Sequence, residues 1–194
     1  MDYQKVSLIQ KNKKITTKQL IMCSLFTALI AVGTFIKIPI PVLPFTLQFL
    51  FTMMAGLLLG GELGACSVFV YMLLGLIGLP IFTEGGGIGY VFKPTFGYII
   101  GFCIASYVTG KIANKVSNPT YKRVLLGNFI GLVIVYGFGM IYYYIICNFV
   151  INTPIGVWPL FLYCFILAVP GDILLCVISA VLYKRLIPAV KFFR

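Results

Sequence analysis

Asp172 is the residue in this chain whose position most demands an explanation. It stands in an otherwise uncharged stretch, Pro159 to Tyr183, directly after Pro170 and Gly171. A carboxylate inside an apolar helix costs about 2.5–3.5 kcal/mol on insertion scales and is ordinarily retained for a ligand, an ion or a proton. Pro170 removes one backbone donor and opens the hydrogen-bond ladder, while Gly171 lets another chain or a ligand approach the backbone. Two structural alternatives stay open: a protonated aspartate, or one paired with Lys93 or Lys37. A second candidate is the segment Glu84-Gly85-Gly86-Gly87-Ile88-Gly89-Tyr90. Its glycines, Gly86 and Gly87 among them, permit positive φ and can present backbone N–H groups to a polar ligand, or serve only as a flexible loop. Tyr90 and Trp158 can form aromatic walls of a pocket, or sit at span ends as interface aromatics.

Composition narrows this chemistry. The sequence has 194 residues, 61% hydrophobic and 10% charged, with no histidine and four acidic residues, Asp2, Glu62, Glu84 and Asp172. General acid–base pairs and zinc sites need carboxylate pairs or imidazole, so hydrolytic and metal-dependent enzymes are disfavoured, and no cofactor or metal is expected. The six cysteines show no CxxC spacing and mostly fall in apolar runs, where a thiol acts as a small hydrophobe. The stretch ending Gly110-Lys111-Ile112 carries Ala105 and Ile112 where a phosphate-binding loop needs glycine and Ser or Thr, so ATP-driven work must come from another subunit. A net charge of +11 does not make a nucleic-acid footprint here, because the basic residues flank apolar runs instead of gathering on a soluble face.

The elements that must position these residues are membrane spans. Crossings of about 20 residues each account for most of the chain as a single all-α membrane domain over residues 1–194. A basic tail, 1–17, precedes spans expected at about 19–36, 45–60, 63–79, 94–109, 124–147 and 159–183. The first starts at Thr16 or Thr17 as a cap and ends at the cluster Pro39, Pro41, Pro44. It is too long, and lacks a small-x-small site, for a cleaved signal. Six crossings with both termini inside leave only Lys37 and Lys93 outside, so that 13 of the 15 basic residues lie on the cytoplasmic side. The glycine-rich loop then faces outward, as do Asn148 to Trp158. In the first span Ser24 and Ala28 form a small-xxx-small pair suited to close helix approach, either within the chain or to a partner.

Four stretches in order carry a resemblance: Ile38 to Gln48 (IPIPVLPFTLQ); Gly75 to Phe82 (GLIGLPIF); Gly85 to Tyr90 with Pro94-Thr95-Phe96-Gly97-Tyr98; and Pro170-Gly171-Asp172. Together they resemble the BioY family of biotin transporters, the substrate-capturing S subunits of energy-coupling factor (ECF) transporters. The resemblance runs from the first span onward. It implies six helices, biotin bound near the outer face, and a first-helix surface at Ser24 and Ala28 contacting a transmembrane coupling protein that carries two ATPase subunits. On that reading Asp172 accepts from the ureido N–H groups, and Phe45, Gln48 and Tyr90 enclose the ring and chain. The sequence departs from the family pattern at Leu175, where a lysine follows the aspartate by three residues. The ligand carboxylate then needs another donor, Lys93 first and Lys37 second, with Gly86 and Gly87 N–H groups in support. Two other readings are an S subunit for a different vitamin-like molecule and an intramembrane enzyme using Asp172 and Tyr90. Binding without turnover separates transport from catalysis.

Overall fold

The computed structural model describes residues 15–38 and 44–190. Residues 1–14 of the basic tail, and Pro39 and Pro41, lie outside them. Helix α1, Thr17–Phe35, begins at the expected place: Thr16 Oγ1 accepts from Gln19 N–H and the Gln19 side chain returns the bond to Thr16 N–H, a reciprocal capping box.

Phe45, expected to open the second span, instead belongs to a two-stranded antiparallel ribbon, β1 (Lys37–Ile38) with β2 (Phe45–Thr46). The backbone bond from Leu47 N–H to Ile36 O closes the turn, so helix α2 starts only at Gln48 and ends at Leu59. Twelve residues make about 18 Å of helix, short of the roughly 30 Å hydrocarbon core. Every α2 residue except Phe51 is buried, which is the position an all-round apolar helix takes in a bundle. Gly60, at φ 92°, turns the chain into α3, Gly61–Ile77. A Cβ on Gly64 would lie 2.6 Å from Gly56 N and Cα, so the two backbones touch there. Because backbone cannot step aside, Gly64→Val is expected to cost about 3 kcal/mol, read as a lowered thermal midpoint. An unchanged midpoint would show that α2 and α3 can separate.

After Gly78 (φ 120°) the chain folds back on itself: Gly87 N–H donates to Gly75 O at 2.7 Å, and a 3₁₀ turn, Ile88–Phe92, leads to α4, Phe96–Asn114. Helix α5, Tyr121–Ile145, is capped by Thr120 and continues as a π turn to Val150. The last expected span is divided into a short helix α6 (Val157–Phe161), a π turn (Leu162–Ile166) and α7 (Val169–Val190). Asp172 therefore sits in the first turn of α7 and not at mid-helix, because Pro170 suits a helix start, where the macrodipole favours negative charge.

Four helical runs are long and apolar enough to cross a membrane: Thr17–Phe35, Phe96–Asn114, Tyr121–Val150 and Val157–Pro188; Gln48–Leu59 and Gly61–Ile77 are shorter apolar helices. Large apolar side chains such as Leu25, Val133, Ile141 and Leu174 are exposed on the outside of this bundle, as lipid contact requires. The chain is an all-α multi-pass membrane protein. Its ends differ in charge. The Gly60–Leu63 turn, Lys111 and Lys115 gather at one end with Gln19, where Lys111 Nζ meets Glu62 at 2.7 Å and Lys184 lies over the Tyr121 ring. Lys37 and Lys93 occupy the region of the 80–95 loop, bonded to Thr83 and Glu84.

Candidate ligand-binding site

Helices α2, α4, α5 and α7, the β2 strand and the 80–95 loop enclose a cavity lined by Phe45, Gln48, Phe49, Tyr71, Thr83, Tyr90, Tyr98, Tyr136 and Asp172, among others. The space between its walls is about 600 Å³ including the open mouth.

Asp172 is the one charged residue among the described residues of the lining. It is 8% exposed, and Tyr136 Oη donates to its Oδ2 at 2.6 Å, while Oδ1 takes no hydrogen bond from the described residues. The ion pairs that the sequence left open are not made. Lys93 Nζ is 2.6 Å from Glu84 Oε2, and Lys37 Nζ donates to the backbone oxygen of Thr83 at 3.4 Å. Tyr136 is itself held edge-on between Tyr98 (centroids 6.0 Å) and Phe165 (5.6 Å). One oxygen of the carboxylate is thus fixed by the protein and one is left for a donor from outside.

Two buried polar groups in the same lining complete the pattern. Gln48 Nε2 and Tyr98 Oη make no hydrogen bond among the described residues, although both residues are buried. An unpaired buried donor costs about 1–3 kcal/mol, and a ligand in the cavity can satisfy these two, whereas Thr52 Oγ1 and Asn128 Oδ1, also without partners among the described residues, lie outside the lining. Toward the mouth, Tyr90 Oη links Thr83 Oγ1 (2.9 Å) and Thr95 Oγ1 (3.1 Å) into a row of hydroxyls.

The structure brings Asp172, Gln48, Phe45 and Tyr90 together, four of the seven binding residues expected from sequence. Phe45 arrives by way of the ribbon, and a Cβ on Gly171 would lie 2.5 Å from its ring, so the glycine beside Asp172 accommodates this aromatic wall. The other three stand outside the lining. Gly87 spends its N–H on Gly75 O, and a Cβ on Gly86 would run into the Leu79 carbonyl, so both glycines serve the packing of the loop. Lys93 is neutralised by Glu84 at the surface, with its ammonium 5.6 Å from the Tyr90 ring centroid. Trp158 is 68% exposed and stacks toward Phe161, away from the cavity. Sequence reasoning missed Tyr136 and Tyr98. Tyr98 lay in a stretch that resembled the family but had no role attached; Tyr136 is one of several tyrosines in α5, with no local signal to single it out. Leu175 is buried in the core and is not part of the lining.

A membrane-helix bundle around an aromatic-lined cavity, with one carboxylate oxygen and two further polar groups lacking partners among the described residues, has the chemistry to hold a small molecule that carries both N–H donors and an acceptor. The chain belongs to the BioY family, whose pattern matches residues 9–192. It is 46% identical over 174 residues, 90% of this chain and 89% of the relative, to a probable biotin transporter BioY of Lysinibacillus sphaericus. To the biotin transporter BioY of Thermotoga maritima it is 40% identical over 124 residues, 63% of this chain and 72% of the relative. The crystal structure of an S-component for biotin from an ECF-type ABC transporter superposes with a TM-score of 0.74 at 29% identity, covering 87% of this chain and 90% of that one. The family and these relatives are transporters, which sets aside the intramembrane-enzyme reading.

Proposed function

We propose that the chain is the biotin-capturing S component of an ECF-type transporter in the cell membrane, binding its ligand through the cyclic urea. The observation that carries this reading is the complementarity of the cavity. A cyclic urea offers N–H donors beside a carbonyl; Asp172 Oδ1 accepts from the former, and Gln48 Nε2 and Tyr98 Oη donate to the latter. Phe45, Tyr90 and their neighbours supply apolar walls for the remainder of a bicyclic ring and its chain. No turnover is involved, because binding energy alone loads the subunit. Mass spectrometry of the protein purified from cells grown on biotin tests the reading directly. A stoichiometric biotin adduct, lost on unfolding, is expected; a different co-purifying small molecule would replace biotin as the ligand.

The proposed membrane arrangement is six helices with both termini and the 115–120 connection in the cytoplasm. The support is the gathering of Lys111, Lys115 and Lys184 at the end opposite Lys37 and Lys93. In intact cells, an impermeant thiol reagent is expected to label Gly89→Cys above the parent background and to leave Asn118→Cys unlabelled. Gly89 is chosen over Gly86 because a side chain there meets open space. Labelling of Asn118→Cys alone would invert the arrangement.

In this reading energy comes from partners, a transmembrane coupling subunit and two ATPase subunits. The stretch nearest to a phosphate-binding loop, Ala105 to Ile112, is interior to helix α4 and cannot wrap a phosphate. Ser24 and Ala28 are both exposed on α1, whose core-facing residues are Cys23, Phe26, Thr27, Ile30, Gly33 and Thr34. The pair is available for the coupling subunit.

A further inference from the structure

Among the described residues the cavity that holds the urea presents a carboxylate and no cation, which raises the question of how a ligand that is itself an acid is tolerated. Asp172 is the one charged group among the described lining residues, so a second carboxylate drawn to the same depth would be repelled and stripped of water with nothing to pair it. The acid must therefore remain at the mouth, on the side of Thr83, Tyr90 and Thr95. Two lysines reach that rim and their circumstances differ. Lys93 is held 2.6 Å from Glu84 Oε2, and the pair adds no net charge. Lys37 has no carboxylate within ion-pair range among the described residues. It is exposed, and it is tied to the cavity wall twice: its ammonium bonds the carbonyl of Thr83 at 3.4 Å, and its backbone pairs with Thr46, both of them lining residues.

We infer that Lys37 is the specificity residue for the ligand's carboxylate, reading it at the rim from the ribbon, and that Glu84 masks Lys93 from that role. The inference rests on the biotin reading and concerns only how the acid end is recognised. Three features follow from rim placement. The preference for acid over neutral ligand is modest, because an exposed pair is screened by water. It depends on ionic strength, as rim charges do and fully desolvated pairs do not. It is set by net charge at the rim, so removing Glu84 strengthens it.

The test compares biotin with biotinamide, which keeps the ring and chain and lacks the charge, by calorimetric titration of the full chain in detergent. For the parent, biotin is expected to bind about five- to tenfold more tightly than the amide at low salt, narrowing toward parity near 0.5 M salt. Lys37→Met is expected to bring the acid-to-amide ratio to about one, Lys37→Arg to restore it, and Glu84→Gln to raise it about threefold. A parent-like ratio in Lys37→Met, or equal losses for both ligands, overturns the assignment; the second result would mean that Lys37 only shapes the ribbon. Loss of the ratio in Lys93→Met with its retention in Lys37→Met would transfer the role to Lys93 and overturn it equally. A parent that binds neither compound overturns the biotin reading, and this inference with it.

Discussion

Asp172→Asn is expected to weaken biotin binding by about 100-fold while leaving the protein folded and inserted. A hydrogen bond accepted by a charged oxygen is worth about 1.5–3 kcal/mol, roughly 10- to 150-fold in affinity, and the amide loses this twice over. Its oxygen is a neutral acceptor, and its NH₂ group either faces the ligand donors or displaces the Tyr136 hydroxyl from its 2.6 Å contact. Folding should not suffer, since taking a carboxylate out of an apolar bundle removes a cost instead of a support. Tyr136→Phe is the companion variant. It frees Oδ2 without changing charge, and the edge-on packing of the ring on Tyr98 and Phe165 survives, so a loss of about tenfold is expected. Titration of each purified variant, alongside its thermal midpoint, checks both. Parent-like affinity in Asp172→Asn would make the residue structural and send the search for the site elsewhere.

The second large effect is expected at the opposite surface of the bundle. Leucine at Ala28 or Ser24 should abolish co-purification with the coupling subunit and leave biotin binding at the parent level. Small residues one turn apart let two helix backbones approach closely, and a leucine holds them apart. The core is indifferent to the change, because both positions face away from the buried stripe Cys23, Phe26, Thr27 and Ile30. Serine at position 24 does not obstruct the approach, as its hydroxyl is turned back onto Leu20 O at 3.1 Å. Complex recovered intact from both leucine variants would place the contact on another helix.

How much of this could be read from residues alone varied with the range of the interaction involved. The start of α1 could be placed at Thr16 or Thr17, because a capping hydroxyl acts within three residues, here from Thr16 to Gln19. Helices α4 and α5 overlap the apolar stretches 94–109 and 124–147, where hydropathy was the only guide, and helix bounds departed from such stretches where a longer-range contact intervened. Phe45 to Leu47 are apolar enough to extend α2, yet pairing with Lys37 and Ile38 draws them into a ribbon. The same ribbon carries Phe45 to Gly171 and Lys37 to Thr83, contacts spanning more than a hundred and some forty residues of chain respectively. Glu84 and Lys93 bracket the glycine-rich loop, and their ion pair became visible only once the loop was closed by Gly87 on Gly75.

The sequence by itself determined the solvent, the apolar helical character of the chain and the presence of one costly carboxylate. These are properties of single residues or of windows of about 20, set by transfer free energies that add along the chain. Only the tertiary structure decided what surrounds that carboxylate. Tyr136 reaches it across 36 residues, Gln48 and Tyr98 are left as unspent donors facing the same space, and Lys93 is withdrawn by Glu84 while Lys37 is kept at the rim. Hydrogen bonds and ion pairs depend on distances of a few ångströms between segments remote in sequence, and those distances exist only when the helices have packed.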